Sequence, residues 1–308
     1  MIHTSFEFDR ARGVVQGGPE AEFANLQRLL ASFNRARITP GLGDTSSDAA
    51  AYEDRMRQCE RAFVEQAREE IAPFAATAPS EPQAFVRWFE QLRETGPGQN
   101  DPLFPFLATH ASYAQLRWFL EQEVAGEAGF DDLVAMTQVK MPVRPKLEMA
   151  RNYWDEMGRG EQKGMHGPML DRLARHFDIA PKIETTVPEA LALGNMMMAL
   201  AFNRRYAFHS VGALGVIEMT APGRARLVVD ALDRLGVPKK QSHYFSLHAV
   251  LDVRHSECWN SEVLVPLVAE DPRRARAIAE GALLRLLCGE LCFERYRAEF
   301  GLNERIAA

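Results

Sequence analysis

Residues 190 to 202 read Ala-Leu-Ala-Leu-Gly-Asn-Met-Met-Met-Ala-Leu-Ala-Phe, with Asn195 as the one polar side chain. A helix that is apolar on every side has to be wrapped by other elements, and the run falls short of the about 18 apolar residues that mark a bilayer span. The Pro188 to Phe208 segment is therefore expected in the middle of a helical bundle. The rest of the chain has to supply the wrapping.

It does so with helical periodicity almost throughout. From Ala21 to Arg35 the apolar residues Phe23, Leu26, Leu29, Leu30 and Phe33 recur at helix spacing, and a second helix is expected from Asp48 to Ala72 after a break rich in Pro and Gly. Pro82 to Arg93 is short and amphipathic, between the proline-rich stretch 72–82 and the turn sequence 96–102. Longer helices are expected over Ala111 to Met141, with an irregularity at Gly126 and Gly129, and over Pro145 to Phe177, Val211 to Leu235, Lys239 to Val268 and Asp271 to Phe300. Pro145 and Pro272 fall in first turns, where a missing N–H costs nothing, and Gly236 before Val237-Pro238 is a stop signal. No alternating strand pattern longer than a few residues occurs. The expected fold class is all-α, with residues 1 to 80 as an N-terminal helical extension and 81 to 308 as the bundle.

Charge and cysteine usage exclude several classes of function. The net charge of −6 has no concentrated basic patch to meet phosphates, so no nucleic acid is expected as a partner. The N-terminus MIHTSFEFDRARG carries charges where a signal peptide would be apolar, and a cytoplasmic protein with no membrane partner is expected. Cys59, Cys258, Cys288 and Cys292 are scattered, and Cys288 and Cys292, four residues apart on an apolar stretch, read as buried thiols rather than a disulfide framework or a zinc site.

The chemistry concentrates in His248-Ala-Val-Leu-Asp252-Val-Arg-His255. On a helix these three side chains fall within an arc of roughly 60°. Two imidazoles and a carboxylate on one face suit non-haem iron, manganese or zinc with coordination positions left open. In a bundle the remaining ligands come from facing helices. Glu218 lies in an apolar run without a basic neighbour, where a carboxylate is expensive unless paired or metal-bound. Glu156 and His166 share another segment, about 15 Å apart on a regular helix. Unwinding at Gly158, Gly160 and Gly164 would shorten that distance. Glu123, close to the stripe of Leu116 and Leu120, is a further candidate, with Glu127 as its substitute. Met196, Met197 and Met198 with Phe202 and Tyr206 form either a pocket lining or core, and Arg204, Arg205 and His209 either a clamp for a substrate carboxylate or a basic helix end.

The string Asn152-Tyr-Trp-Asp-Glu156-Met-Gly-Arg-Gly, then His166, Glu218 and His248-xxx-Asp252-xx-His255, resembles the haem-oxygenase-like diiron oxidases and oxygenases over residues 105 to 300. The resemblance implies a seven-helix bundle without haem, here with additional N-terminal helices, in which two Fe(II) ions bridged by carboxylates activate dioxygen as cosubstrate. Carried over residue by residue, it implies Glu123, Glu156, His166, Glu218, His248, Asp252 and His255 as metal ligands. Lys163 stands where some relatives have an acid. The ligand chemistry agrees: oxygen and imidazole donors without thiolate suit iron or manganese, and four carboxylates offset two divalent cations.

The expected function is oxidation of a small amino-acid-derived or fatty-acid-derived molecule by N-oxygenation, desaturation or oxidative C–C cleavage, in a biosynthetic pathway. An external electron donor and a homodimeric state are expected with it. The alternatives are a metal-independent enzyme of the same fold, either a quinone-forming oxidase or a thiaminase-like hydrolase using Cys258, and a non-enzymatic helical binding protein.

Overall fold

A computed structural model describes residues 18–41, 47–127 and 129–302, and among these the regular structure is helical. In chain order the helices are α1 (Gly18–Ile38), α2 (Ser47–Ala75), α3 (Pro82–Thr95), α4 (Leu103–Thr109), α5 (Tyr113–Glu127), α6 (Phe130–Thr137) and α7 (Val143–Glu156). After two short 3₁₀ turns come α8 (His166–His176), α9 (Pro188–Phe202), α10 (Ala207–Arg234), α11 (His243–Cys258), α12 (Val265–Glu270) and α13 (Arg274–Glu299).

The apolar segment is α9, and it is wrapped as its composition demands, by α1, α2, α5, α6, α10 and α13. Asn195 is buried and satisfied: it accepts from Asn34 Nδ2 at 2.8 Å and donates to the carbonyl and Oε1 of Gln27, both at 2.9 Å. Both partners belong to α1, so the first helix meets the hydrogen-bonding demand of the central one. Leu30 of α1 and Val64 and Ile71 of α2 enter the same core as Met196, Leu200 and Leu284.

The axis of the bundle is the pair α10 and α13. A Cβ on Gly212 would lie 1.8 Å from the Ile278 carbonyl oxygen, and one on Gly281 would lie 1.8 Å from that of His209. Only glycine at these two positions lets the backbones approach so closely. Beside the crossing, buried Glu280 accepts from Arg68, Arg276 and His209, which ties α2, α10 and α13 together.

Several expected helices divide. The Ala111 to Met141 segment breaks at Gly129 (φ 107°), which separates α5 from α6. The Lys239 to Val268 segment contains a π-helical stretch, Trp259–Leu264, between α11 and α12. The largest departure is Pro145 to Phe177: the chain leaves the helix after Glu156, turns through Gly158, Arg159 and Gly160, all at positive φ, and restarts at His166.

Candidate metal centre

Four elements converge to bring six donor residues together. Helix α11 presents His248, Asp252 and His255, α10 presents Glu218, α7 ends at Glu156, and α8 begins at His166. The turn between α7 and α8 brings the last two together. Met157 and Met165 form an isolated antiparallel bridge, and a Cβ on Gly158 would lie 2.2 Å from the Gly164 carbonyl carbon. Two glycines facing each other let the backbone fold back on itself. Glu156 Oε2 then lies 2.7 Å from His166 Nδ1, where a continuous helix would hold the residues about 15 Å apart.

The donor atoms form two groups of three, each with all its atoms within 4.8 Å of one another: Glu156, His166 and His248, and Glu218, Asp252 and His255. Glu156, Glu218, His248 and Asp252 line the same cavity. Its volume is about 70 Å³, and Glu123 also lines it, from α5, though outside both groups of three. The side chain of Glu127 lies outside the described residues. Lys163 is exposed on the second 3₁₀ turn, and His248 is the third member of the group on the Glu156 side.

The histidines are oriented by partners outside the expected ligand set. His248 Nδ1 donates to the Tyr244 carbonyl at 2.7 Å, which leaves Nε2 as a lone-pair donor. His255 Nε2 donates to Asp155 Oδ2 at 3.2 Å, and its Nδ1 lies 3.4 Å from Glu218 Oε2 and 3.8 Å from Asp252 Oδ1. Asn152 Nδ2 donates to Glu218 Oε1 at 2.5 Å. A carboxylate behind an imidazole and an amide behind a carboxylate are the outer contacts that fix metal ligands in place. Asn152 stands one helical turn before Glu156, and that spacing was the available signal for it. Asp155 was visible only as the neighbour of Glu156, on an adjacent face of the same helix.

Charge crowding marks the Glu218 group. Burial works against a charged His255, yet the Glu218 and Asp155 carboxylates beside it prevail and push its pKa up to about 9. Glu218 itself is only 2% exposed. Without a cation, a proton on His255 offsets carboxylates brought together at low dielectric. Buried Nδ1 atoms of His166 and His255 lack hydrogen-bond partners, although each points at a carboxylate. Imidazole nitrogens and carboxylate oxygens converging this closely are the arrangement a cation completes. Cys292 lines the cavity too, but burial first and then Glu123 push its thiol well up, so it stays protonated.

The other candidates separate cleanly. Met196 and Met197 belong to the main hydrophobic core, and the Tyr206 hydroxyl donates to Glu65 at 2.6 Å. The cavity is instead walled by aromatic residues such as Phe104, Phe119 and Phe245. Arg204 donates to the carbonyls of Met136, Thr137 and Val139, and His209 pairs with Glu280, so these two form no clamp at the cavity.

A family model described as "Iron-containing redox enzyme", of haem-oxygenase type, matches residues 117–290. Among curated proteins none matches the sequence. A CADD-like protein of unknown function from Nostoc punctiforme PCC 73102 superposes with a TM-score of 0.56 at 20% identity, over 70% of this chain and 96% of that one. A domain of unknown function with a heme oxygenase-like fold from Shewanella denitrificans OS217 aligns at a TM-score of 0.49 and 13% identity, over 72% of this chain and 92% of that one. With a family match over more than half of its length, the chain belongs to the haem-oxygenase-like family of iron-containing redox enzymes.

Proposed function

We propose that the protein is a non-haem diiron oxidase or oxygenase that uses dioxygen to oxidise a small amino-acid-derived or fatty-acid-derived molecule. The observation that carries this reading is the pair of three-residue donor groups meeting at one cavity, with oxygen and imidazole donors throughout. Glu156, His166 and His248 would hold one iron, and Glu218, Asp252 and His255 the other. Glu123 would complete the set from α5. Two adjacent reduced irons supply two electrons to dioxygen, and manganese suits the same donors.

The residues of the chain divide the remaining work. Tyr244 and Asp155 hold His248 and His255 in the tautomers that leave one nitrogen available to a metal. The aromatic walls of the cavity exclude water from the reacting end of a substrate, which limits discharge of the oxidant without product. Helices α1 and α2, which precede residue 80, complete the packing around α9, and α2 also packs on α13.

A thiaminase-like use of Cys258 has less support. Burial pushes that thiol up, the opposite of an activated nucleophile, and it is not among the residues lining the cavity.

The test is dioxygen uptake by protein loaded anaerobically with ferrous iron. Rapid consumption at about one dioxygen per two irons, lost in Glu156→Ala and Glu218→Ala variants that retain their helical content, is the expected result. Uptake no faster than that of free ferrous iron at the same concentration would sink the reading.

A further inference from the structure

Helix α13 carries a charge that the metal chemistry does not use. Arg285 stands in the apolar run Ala282-Leu-Leu-Arg-Leu-Leu-Cys288, is only 7% exposed, and lines the same cavity as Glu156, Glu218, His248 and Asp252. Among the described residues it makes no hydrogen bond and no ion pair. A guanidinium does not deprotonate in a protein, so a buried one without a partner is costly unless an anion meets it.

Its placement is specific. A Cβ on Gly289, one turn further along α13, would lie 2.8 Å from Arg285 Nη1. The guanidinium therefore lies along the helix over the glycine, toward Cys292 and Phe293, which also line the cavity. The other cavity arginine, Arg224, is engaged differently: it donates to Thr220 at 3.0 Å and lies over the rings of Phe104 and Phe293. The charge balance points the same way. Glu123, Glu156, Glu218 and Asp252 together offset two divalent metals, and the charge of Arg285 is then not needed to balance them.

We propose that Arg285 anchors the anionic end of the substrate, so that the enzyme acts on a small carboxylate bound between α13 and the metal groups. A planar fork of N–H donors matches a carboxylate bidentately, and the fixed end would set which carbon or nitrogen of the chain reaches the metals. The cavity, at about 70 Å³, is roughly half the size of one that takes up benzene, which favours a short chain. The inference rests on the diiron reading for the reacting end of the substrate but not for the anchored end.

The experiment is a calorimetric titration of butanoate and of its uncharged counterpart butanamide, under anaerobic conditions, into iron-loaded and metal-free protein. Wild-type protein is expected to prefer butanoate at least about tenfold, with the preference lost in Arg285→Gln and partly kept in Arg285→Lys. Iron content measured on the same samples is expected to be the same in wild type and Arg285→Gln. Gly289→Ala, which keeps the charge but displaces the guanidinium, is expected to weaken butanoate binding in the same direction, and it decides the matter if Arg285→Gln fails to fold. Equal binding of butanoate and butanamide by wild type overturns the proposal, as does a preference that persists in the variants. A fall in iron content with the preference intact also overturns it, because Arg285 would then only compensate the acidic cluster. Failure of wild type to hold iron would defeat the diiron reading alone, since the preference for butanoate is still expected in the metal-free protein.

Discussion

Replacing Asp155 with Asn tests whether the contacts behind the histidines shape the metal centre. Asp155 has two partners: His255 Nε2 at 3.2 Å on the cavity side, and Arg159 Nε at 2.6 Å on the solvent side. Loss of a carboxylate behind a metal-binding imidazole typically costs 10- to 100-fold in metal affinity, about 1.4 to 2.7 kcal/mol. The contact to His255 is at the long end of the hydrogen-bonding range, and asparagine keeps an acceptor oxygen. The lower end, about tenfold, is therefore expected. The loss should fall on the Glu218, Asp252 and His255 group and leave the Glu156 group unchanged. Arg159, whose side chain is 65% exposed, provides the control. An exposed ion pair is worth less than about 1 kcal/mol, so Arg159→Gln should change neither affinity appreciably. Anaerobic titration with ferrous iron against a competing chromophoric chelator resolves the two affinities. An Asp155→Asn protein that binds both irons as tightly as wild type would refute the reasoning, and so would equal losses in Asp155→Asn and Arg159→Gln.

Two further substitutions probe the scaffold. Gly158→Ala places a Cβ against the Gly164 backbone at a residue with φ 60°, and should cost about 2 kcal/mol or more in thermal stability while weakening iron binding at the Glu156 group. Unchanged melting and unchanged affinity would show that the fold-back does not depend on glycine. Glu280→Gln should destabilise the protein by about 3 kcal/mol, because it leaves the cationic partners Arg68 and Arg276 and the imidazole of His209 without their carboxylate. Burial opposes ionisation of Glu280, but His209, Arg276 and Arg68 prevail and hold its pKa at about 2, below the usual 4.5. A depressed acid contributes stability that is fully present above pH 4.5 and lost as pH falls toward 2, so wild type should lose stability between pH 5 and 3 faster than Glu280→Gln does. Parallel acid profiles would contradict that assignment.

The helices were legible because apolar periodicity reports burial directly, and α9 announced its central place by lacking a polar face. Short and irregular pieces were not. Helix α4 has seven residues, with Pro105 inside it, too few turns for periodicity to register. The fold-back between α7 and α8 was legible only as glycines at suggestive positions, since its geometry depends on two distant backbone segments touching. The histidine and carboxylate pattern on α11 was readable because three ligands share one helix face. Asp155 was not, because its role depends on a contact across about a hundred residues of sequence. Arg285 carries a signal of its own in the sequence, a lone arginine in an apolar run. The methionine stripe, which the sequence leaves between pocket lining and core, fills core, and aromatic side chains from α4, α5 and α11 wall the cavity instead.

The iron content of protein reconstituted anaerobically and freed of excess metal tests the central claim most directly. The arrangement of donors predicts two irons per chain in wild type, about one after His248→Ala with Glu156→Ala, and about one after Asp252→Ala with His255→Ala, all with wild-type helical content. Clearly less than one iron per chain in wild type, or a content that neither pair of substitutions changes, would contradict it.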